Sequence, residues 1–171
     1  MIAHKTRRKR AGKTAEFFEE ENPDRDYTLF LTLANLMIFA AAYRCYRERK
    51  NPVEMRKTEL AMAGLAVHKM ARLVSKDKVT RPLRAPFTTF EGSGGAGEVE
   101  EKPRGKGLRK TIGDLVSCPF CMSQWAANLM LLGYAYLPTL TRAYVWVLGM
   151  TNVSHFLNQA YAKAKELNEQ E

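Results

Sequence analysis

The 171-residue sequence predicts an all-α membrane protein, with about four short transmembrane helices and a long cytoplasmic loop between the second and third. Three observations carry that reading. Charged residues make up 26% of the chain but sit in blocks, leaving segments almost free of charge between them. Lys and Arg crowd the ends of those apolar segments, as in "MIAHKTRRKR", "YRCYRERK" and "KPRGKGLRK", the arrangement that anionic membrane surfaces select. One long connection is rich in glycine, proline and charge, as flexible loops are.

Residues 1–26 are basic and then acidic ("AEFFEEENPDRD"), without sustained periodicity, and read as a mobile charged tail. Residues 27–160 form the membrane domain. Its first helix is "YTLFLTLANLMIFAAAY", Tyr27 to Tyr43, which spans roughly 25 Å at 1.5 Å per residue and is just long enough for a hydrocarbon core. Arg44 and Arg47 can snorkel from its end. Ala40 to Ala42 imitate a signal-peptidase site, but the n-region is long and acidic residues separate its basic cluster from the apolar run. Residues 1–43 are therefore expected to stay attached.

Pro52 suits the start of a second helix, running to about Val74. Ala61, Ala63, Gly64 and Ala66 are small enough for close helix packing. His68, Lys69 and Arg72 then gather toward one side, so residues 53–74 either span the bilayer as a short helix or lie in its interface. The 75–116 segment is expected to be the loop, since "KVTRPLRAPFTTF" carries two prolines and "EGSGGAGEVEEKPRGKG" is glycine-rich and charged. Ser117 is a good N-cap and Pro119 fits a first turn, opening a third helix from Cys118 to Leu137 that Pro138 ends. A fourth apolar segment, "AYVWVLGMTNVSHFLNQAY", leads into a polar tail at 161–171. Asn35 and Asn152 within apolar segments read as interhelical hydrogen-bonding groups.

With four spans, the N-terminal tail, the loop and the C-terminal tail share one side with about 20 of the 27 Lys and Arg residues, which makes that side cytoplasmic. The expected partners are a bilayer with anionic headgroups and another membrane protein or a second copy. No basic amphipathic helix or zinc-finger spacing supports groove binding, so nucleic acid is not expected.

The ordered set Lys69-x-x-Arg72-Leu73, Asp77, Thr80, Pro82-Leu83-Arg84, Pro86-Phe87, Cys118-Pro119-x-Cys121 and Trp125 resembles a bacterial membrane-protein family, the one numbered 1360 among the domains of unknown function. The resemblance covers roughly residues 55–160 and is closest to actinobacterial members. It implies a small multi-pass protein of the bacterial cytoplasmic membrane and implies no particular reaction. Two departures stand out: Met122-Ser123 follows the second cysteine where Leu-Gly is common, and Asn152 stands where an aspartate is expected nearby. The second puts an acid–base role for the last helix in doubt.

The candidate chemistry centres on Cys118 and Cys121. Three residues apart in a helical first turn, they share one face, and the positive end of the helix dipole favours a thiolate at Cys118. Three uses stay open. As a redox dithiol, the pair would act catalytically, with Cys118 attacking and Cys121 resolving. A proline between the cysteines resembles the glutaredoxin and thioredoxin motif, but that fold needs a mixed sheet and none reads here. As half of a zinc site, the pair would need further donors such as His68, His155 or Cys45. As a structural cap, the two would be small residues packing a helix start against the loop.

Asp77, Arg81 and Arg84 either clamp a phosphate with forked guanidinium donors or hold Asp77 in an ion pair at the helix end. No cofactor is expected beyond the possibility of zinc. The favoured role is non-enzymatic scaffolding or partner interaction. Membrane thiol–disulfide exchange is the alternative, and metal binding a second one.

Overall fold

The computed structural model of the chain describes residues 25–48, 56–95 and 97–169. The expected N-terminal tail up to residue 24 and the helix start at Pro52 lie outside these residues, while Arg25 and Asp26, read as tail, already belong to the first helix. The chain is mostly helical, and its four long helices fall where the apolar runs are. These are α1 (Arg25–Arg47), α2 (Lys57–Ser75), α5 (Pro119–Tyr136) and α6 (Pro138–Asn168). Cys118 caps α5 and Pro119 occupies its first turn. Leu137 closes α5 by donating its N–H to the Gly133 carbonyl at 2.7 Å, and Pro138 starts α6 at once. That last helix has 31 residues, so the expected polar tail at 161–171 continues as helix to Asn168.

The helices pack in an up-and-down arrangement fixed by polar contacts at matching depths. Parallel α1 and α5 are joined by Asn128 Nδ2 donating to Asn35 Oδ1 at 3.0 Å, and by Cys45 Sγ lying 3.0 Å from the Tyr136 hydroxyl. Parallel α2 and α6 are joined by Arg142 Nε with Glu59 Oε1 at 2.6 Å and by Asn152 Nδ2 donating to the Leu65 carbonyl at 2.9 Å. Ala66, Met130, Tyr134, Val145 and Leu148 form the core where α2, α5 and α6 meet. Gly149 lies against α2 there, where an added Cβ would meet the Met62 terminal methyl at 2.5 Å and the Met62 carbonyl oxygen at 3.3 Å.

That core is small, and most large apolar side chains face outward. Phe30, Leu33 and Met37 on α1, Leu129 on α5, and Val147, Met150, Phe156 and Leu157 on α6 are all exposed. A belt of this extent is far larger than the scattered apolar residues of a soluble surface. By length and composition, however, α1 alone among the described helices can cross a membrane unaided, over Tyr27–Arg47. A second crossing would require α4 (Leu108–Ser117) and α5 to act as one broken span, and they meet at 86°. The expectation of four independent spans is thus reduced to one, because Lys69 and Arg72 interrupt α2 and polar residues populate α6.

The described residues of the 75–116 segment carry regular structure, which corrects its reading as a flexible loop and makes the chain not strictly all-α. A 3-10 turn (Lys78–Thr80) leads into a single helical turn, α3 (Arg81–Arg84), and then an antiparallel hairpin of β1 (Thr88–Gly95) and β2 (Glu98–Pro103). Gly95 and Gly97 take φ of +122° and +82° at the hairpin tip, a region that glycine enters without a Cβ clash. α4 then packs along β2. Gly113 allows this, since a Cβ there would lie 2.5 Å from the Phe87 carbonyl oxygen and 3.1 Å from Pro103.

Candidate functional site: an ion-pair cage beside a dithiol

The C-terminal end of α2 presents Lys69 and Arg72 one turn apart, where cations complement the helix dipole. Lys69 is buried, with Nζ 2.7 Å from Asp77 Oδ2. Arg72 reaches the hairpin: its Nε donates to Glu98 Oε1 at 3.1 Å and its Nη2 contacts the same oxygen. Arg84 lies at the centre, only 2% exposed. Its Nε donates to Glu101 Oε2 at 2.6 Å, and Nη1 donates to the Val74 carbonyl at 2.6 Å and to Thr80 Oγ1 at 2.7 Å. Nη2 donates to the Asp77 carbonyl at 3.2 Å.

Main-chain bonds complete this cage, with Val99 N–H donating to Lys76 O and Lys78 N–H to Gly97 O, each at 2.9 Å. The result staples the hairpin to the end of α2. Because protein acceptors engage each of its three nitrogens, Arg84 has no fork left to present to a phosphate. Arg81 is outside the cage proper, 3.7 Å from Glu101 and stacked 4.3 Å over the Phe90 ring. Asp77 pairs with Lys69 rather than with either of those arginines.

The prolines of the motif shape its rim. Pro82 lies in the first turn of α3, and the Pro86 carbonyl accepts from Arg109 Nε at 2.8 Å, tying α4 to the cage. Phe87 donates its N–H to Arg84 O and accepts the Arg104 N–H, both at 2.8 Å. Glu98 and Glu101 are essential to the arrangement, yet the sequence reading passed over them. Their signal was the period-two pattern Val99-x-Glu101-x-Pro103, which puts Glu101 on the inward face with buried Val99 and leaves Glu100 and Lys102 exposed.

Cys118 and Cys121 sit at the bend between α4 and α5. Cys118 Sγ accepts the Cys121 N–H at 3.3 Å, so the thiol serves as the N-cap of α5. Burial pushes the Cys118 thiol up. Hydrogen bonds from the Cys121 thiol and from the Cys121 and Phe120 amides outweigh this, and with the nearby charge of Lys76 they bring it below its ordinary value. Cys121 is pushed up to about 11, first by that same side-chain hydrogen bond to Cys118, then by burial and by the charges of Cys118 and Asp114. The two thiols are therefore unequal, and Cys118 ionises first. Cys121 is exposed and Cys118 is half-buried, so neither packs as a small core hydrophobe.

Cys121 also lines a groove of about 600 Å³ between α1, α4 and α5, together with Leu31, Asn35, Asp114, Gln124 and Trp125. The sequence-predicted motif is thus divided between two places. Lys69, Arg72, Asp77 and Arg84 meet in the cage, whereas Cys121 and Trp125 line the groove and Cys118 adjoins it only through its hydrogen bond to Cys121, with Pro119 in the turn between the cysteines. His68 joins neither and stacks on Phe156 at 6.0 Å. Among the described residues, no group of three or more His, Cys, Asp or Glu side chains is placed to hold a metal ion. A zinc site built on Cys118, Cys121 and His68 would need donors from elsewhere.

The family described as "Protein of unknown function (DUF1360)" matches residues 62–161. The chain belongs to this family. The matched DUF1360 region holds most of α2, the cage, the hairpin, CPFC, Trp125 and α6 to residue 161, while α1 lies before it. Two relatives from Bacillus subtilis (strain 168) are similar to it. "Sporulation protein YjcA" is 28% identical over 107 residues, covering 61% of this chain and 91% of that protein. "UPF0713 protein YngL" is 28% identical over 100 residues, covering 58% of this chain and 75% of that protein. No solved structure matches.

Proposed function

We propose that this DUF1360 protein is a membrane-embedded dithiol protein that exchanges electrons through Cys118 and Cys121, held at the bilayer surface by the hairpin cage. The observation that carries the reading is the unequal, accessible thiol pair at the start of α5. Cys118 Sγ is stabilised by the Cys121 N–H at 3.3 Å, and Cys121 is exposed. A low-lying attacking thiol with a protonated resolving partner is the arrangement that thiol–disulfide exchange needs. In this reading Cys118 Sγ attacks a disulfide of a partner protein. The thiol of Cys121, once deprotonated, then attacks Cys118 Sγ, forming the internal disulfide and releasing the partner as a dithiol.

The outward-facing apolar side chains favour a bundle in which α1 spans the bilayer and the other helices, too polar to span alone, enter it only packed against one another. α1, α5 beyond Cys121 and α6 to about residue 157 would lie in hydrocarbon, with α2 packed between them and CPFC at headgroup level. The excess of Lys and Arg at the cage end favours a cytoplasmic location for that end in a bacterial inner membrane. The test is trapping. In Cys121→Ser, a mixed disulfide between Cys118 and a partner should accumulate on non-reducing gels of native membranes, and Cys118→Ser should abolish it. If neither variant changes the disulfide-linked species, the redox reading is wrong.

A second reading, non-enzymatic scaffolding, is favoured by Val79 and Leu83. They are 86% and 76% exposed on turns held rigid by the cage, next to Lys78 and Arg81. Charge reversal at Lys78 and Arg81 with Leu83→Ser should then release a co-purifying protein while leaving the thiols untouched.

A further inference from the structure

α6 is one uninterrupted helix of 31 residues, roughly 46 Å long at 1.5 Å per residue, against about 30 Å of hydrocarbon in a bilayer. Its buried residues stop at Asn152, and every residue from 153 to 169 is exposed, so no described element covers that stretch. One face of it is patterned all the same. Met150, Val153, Leu157, Ala160, Ala164 and Leu167 are exposed and follow one another at alternating steps of three and four residues. Exposed Trp146 extends the series one step toward the start of the helix. This is the spacing of a coiled-coil seam, sustained for about three heptads, the shortest run from which such a seam is read. His155, Asn158, Gln159, Lys165 and Glu166 all lie on other faces. Lipid tails can cover the seam where α6 runs in hydrocarbon, so the exposure of Met150 and Val153 asks for no partner. Beyond about residue 157 the seam runs on among amides and charges, where the surroundings are water. A helix without a break cannot fold over onto the bilayer surface, so lipid leaves Ala160, Ala164 and Leu167 uncovered.

We propose that α6 is the interface of a parallel homodimer, in which two copies of the chain join their seams from about Trp146 to Leu167. A second copy fits because it brings the same seam at the same depth. Copies embedded with one orientation run parallel and in register about a twofold axis along the membrane normal. The positions flanking the seam then suit one another. Phe156 of one copy meets Tyr161 of the other, and Lys163 meets Asn168, so no like charges face each other across it. Lys163 is also paired within its own helix, 3.2 Å from Glu166. Ala160 and Ala164 let the two backbones approach closely where the helices leave the bilayer. Both cages and both CPFC pairs would then stand on one face of the membrane. The parallel sense rests on the embedded bundle proposed above; the seam is independent of the dithiol.

The test is disulfide cross-linking of the full chain in native membranes, with two copies co-expressed under different epitope tags. Cys45, Cys118 and Cys121, the three cysteines of the sequence, are replaced by Ser so that one introduced cysteine remains. Under mild oxidation Leu157→Cys and Ala164→Cys, both on the seam, should each give a dimer band carrying both tags. Ala162→Cys, also exposed but on the opposite face, should give none. Adding Leu167→Lys sets like charges across the axis and should lower the Ala164→Cys yield about tenfold, whereas adding Ala162→Lys should leave it within about twofold. Cross-linking at one seam position alone, equal yields at 162 and 164, a band of another mass carrying one tag, or no band at either seam position would each overturn the proposal. Single-molecule photobleaching of the otherwise unsubstituted chain, fused at its N-terminus to a fluorescent protein, should show two steps per spot; one step would overturn it as well. The embedding fails separately, if a carbonate wash releases the chain from membranes while both seam positions still cross-link.

Discussion

Replacing Arg84 with Met tests whether the ion-pair cage is what holds the hairpin. The side chain keeps its length and apolar stem but loses the guanidinium. Glu101, whose side chain is 3% exposed, then keeps only Arg81 at 3.7 Å, and the Val74 and Asp77 carbonyls lose their donors. Breaking one side of a buried pair costs about 3–5 kcal/mol, because the remaining charge is left desolvated without compensation. The cost falls on local opening of the hairpin rather than on the long helices, since β1 and β2 bury little apolar surface of their own. Amide hydrogen exchange across residues 88–103 should therefore accelerate by roughly a hundredfold to several thousandfold, while α5 exchange stays unchanged. Adding Glu101→Gln should recover part of the protection by removing the orphaned charge. Exchange within threefold of the parent, or no recovery in the double variant, would refute the cage as the source of hairpin stability.

Three further outcomes follow from the geometry. Gly113→Ala should lower the melting temperature by several degrees and loosen α4, since its methyl would sit 2.5 Å from the Phe87 carbonyl oxygen, a cost of about 2–3 kcal/mol. Alkylation followed by mass spectrometry should show Cys118 reacting at lower pH than an ordinary thiol, because the thiolate is the reactive form and its hydrogen bonds favour it. Cys121 should react only as the pH nears about 11, and at lower pH once Cys118→Ala removes its hydrogen-bond and charge partner. In intact cells a membrane-impermeant thiol reagent should fail to label Ser93→Cys on the exposed hairpin; labelling there would reverse the proposed orientation.

The long helices were legible because their apolar runs are continuous and their boundaries are marked by Arg44, Arg47, Pro119 and Pro138. The pairing roles of Asn35 and Asn152 were legible for the same reason: an amide in an apolar run needs a partner. The hairpin was not. Its stability comes from Arg72 reaching Glu98 and Arg84 reaching Glu101, ion pairs 26 and 17 residues apart that leave no local periodicity, while its glycines and charges look like those of a linker. α4 was missed because its packing relies on the absence of a side chain at Gly113, which sequence patterning does not register. The CPFC motif was found, but its use stayed open because the exposure of the two thiols depends on how α4 and α5 meet, which local patterning does not register. The groove was illegible because α1 and α5 meet only in three dimensions, bringing Asn35 to Cys121.

The most direct measurement on the central claim is the redox state of Cys118 and Cys121 in native membranes. Acid quenching, alkylation with one reagent, reduction and alkylation with a second would read it by mass spectrometry of the peptide containing both. A working dithiol predicts a mixed population that moves to the Cys118–Cys121 disulfide on oxidant exposure and returns when the oxidant is removed. A pair that stays fully reduced through such a cycle would contradict the account.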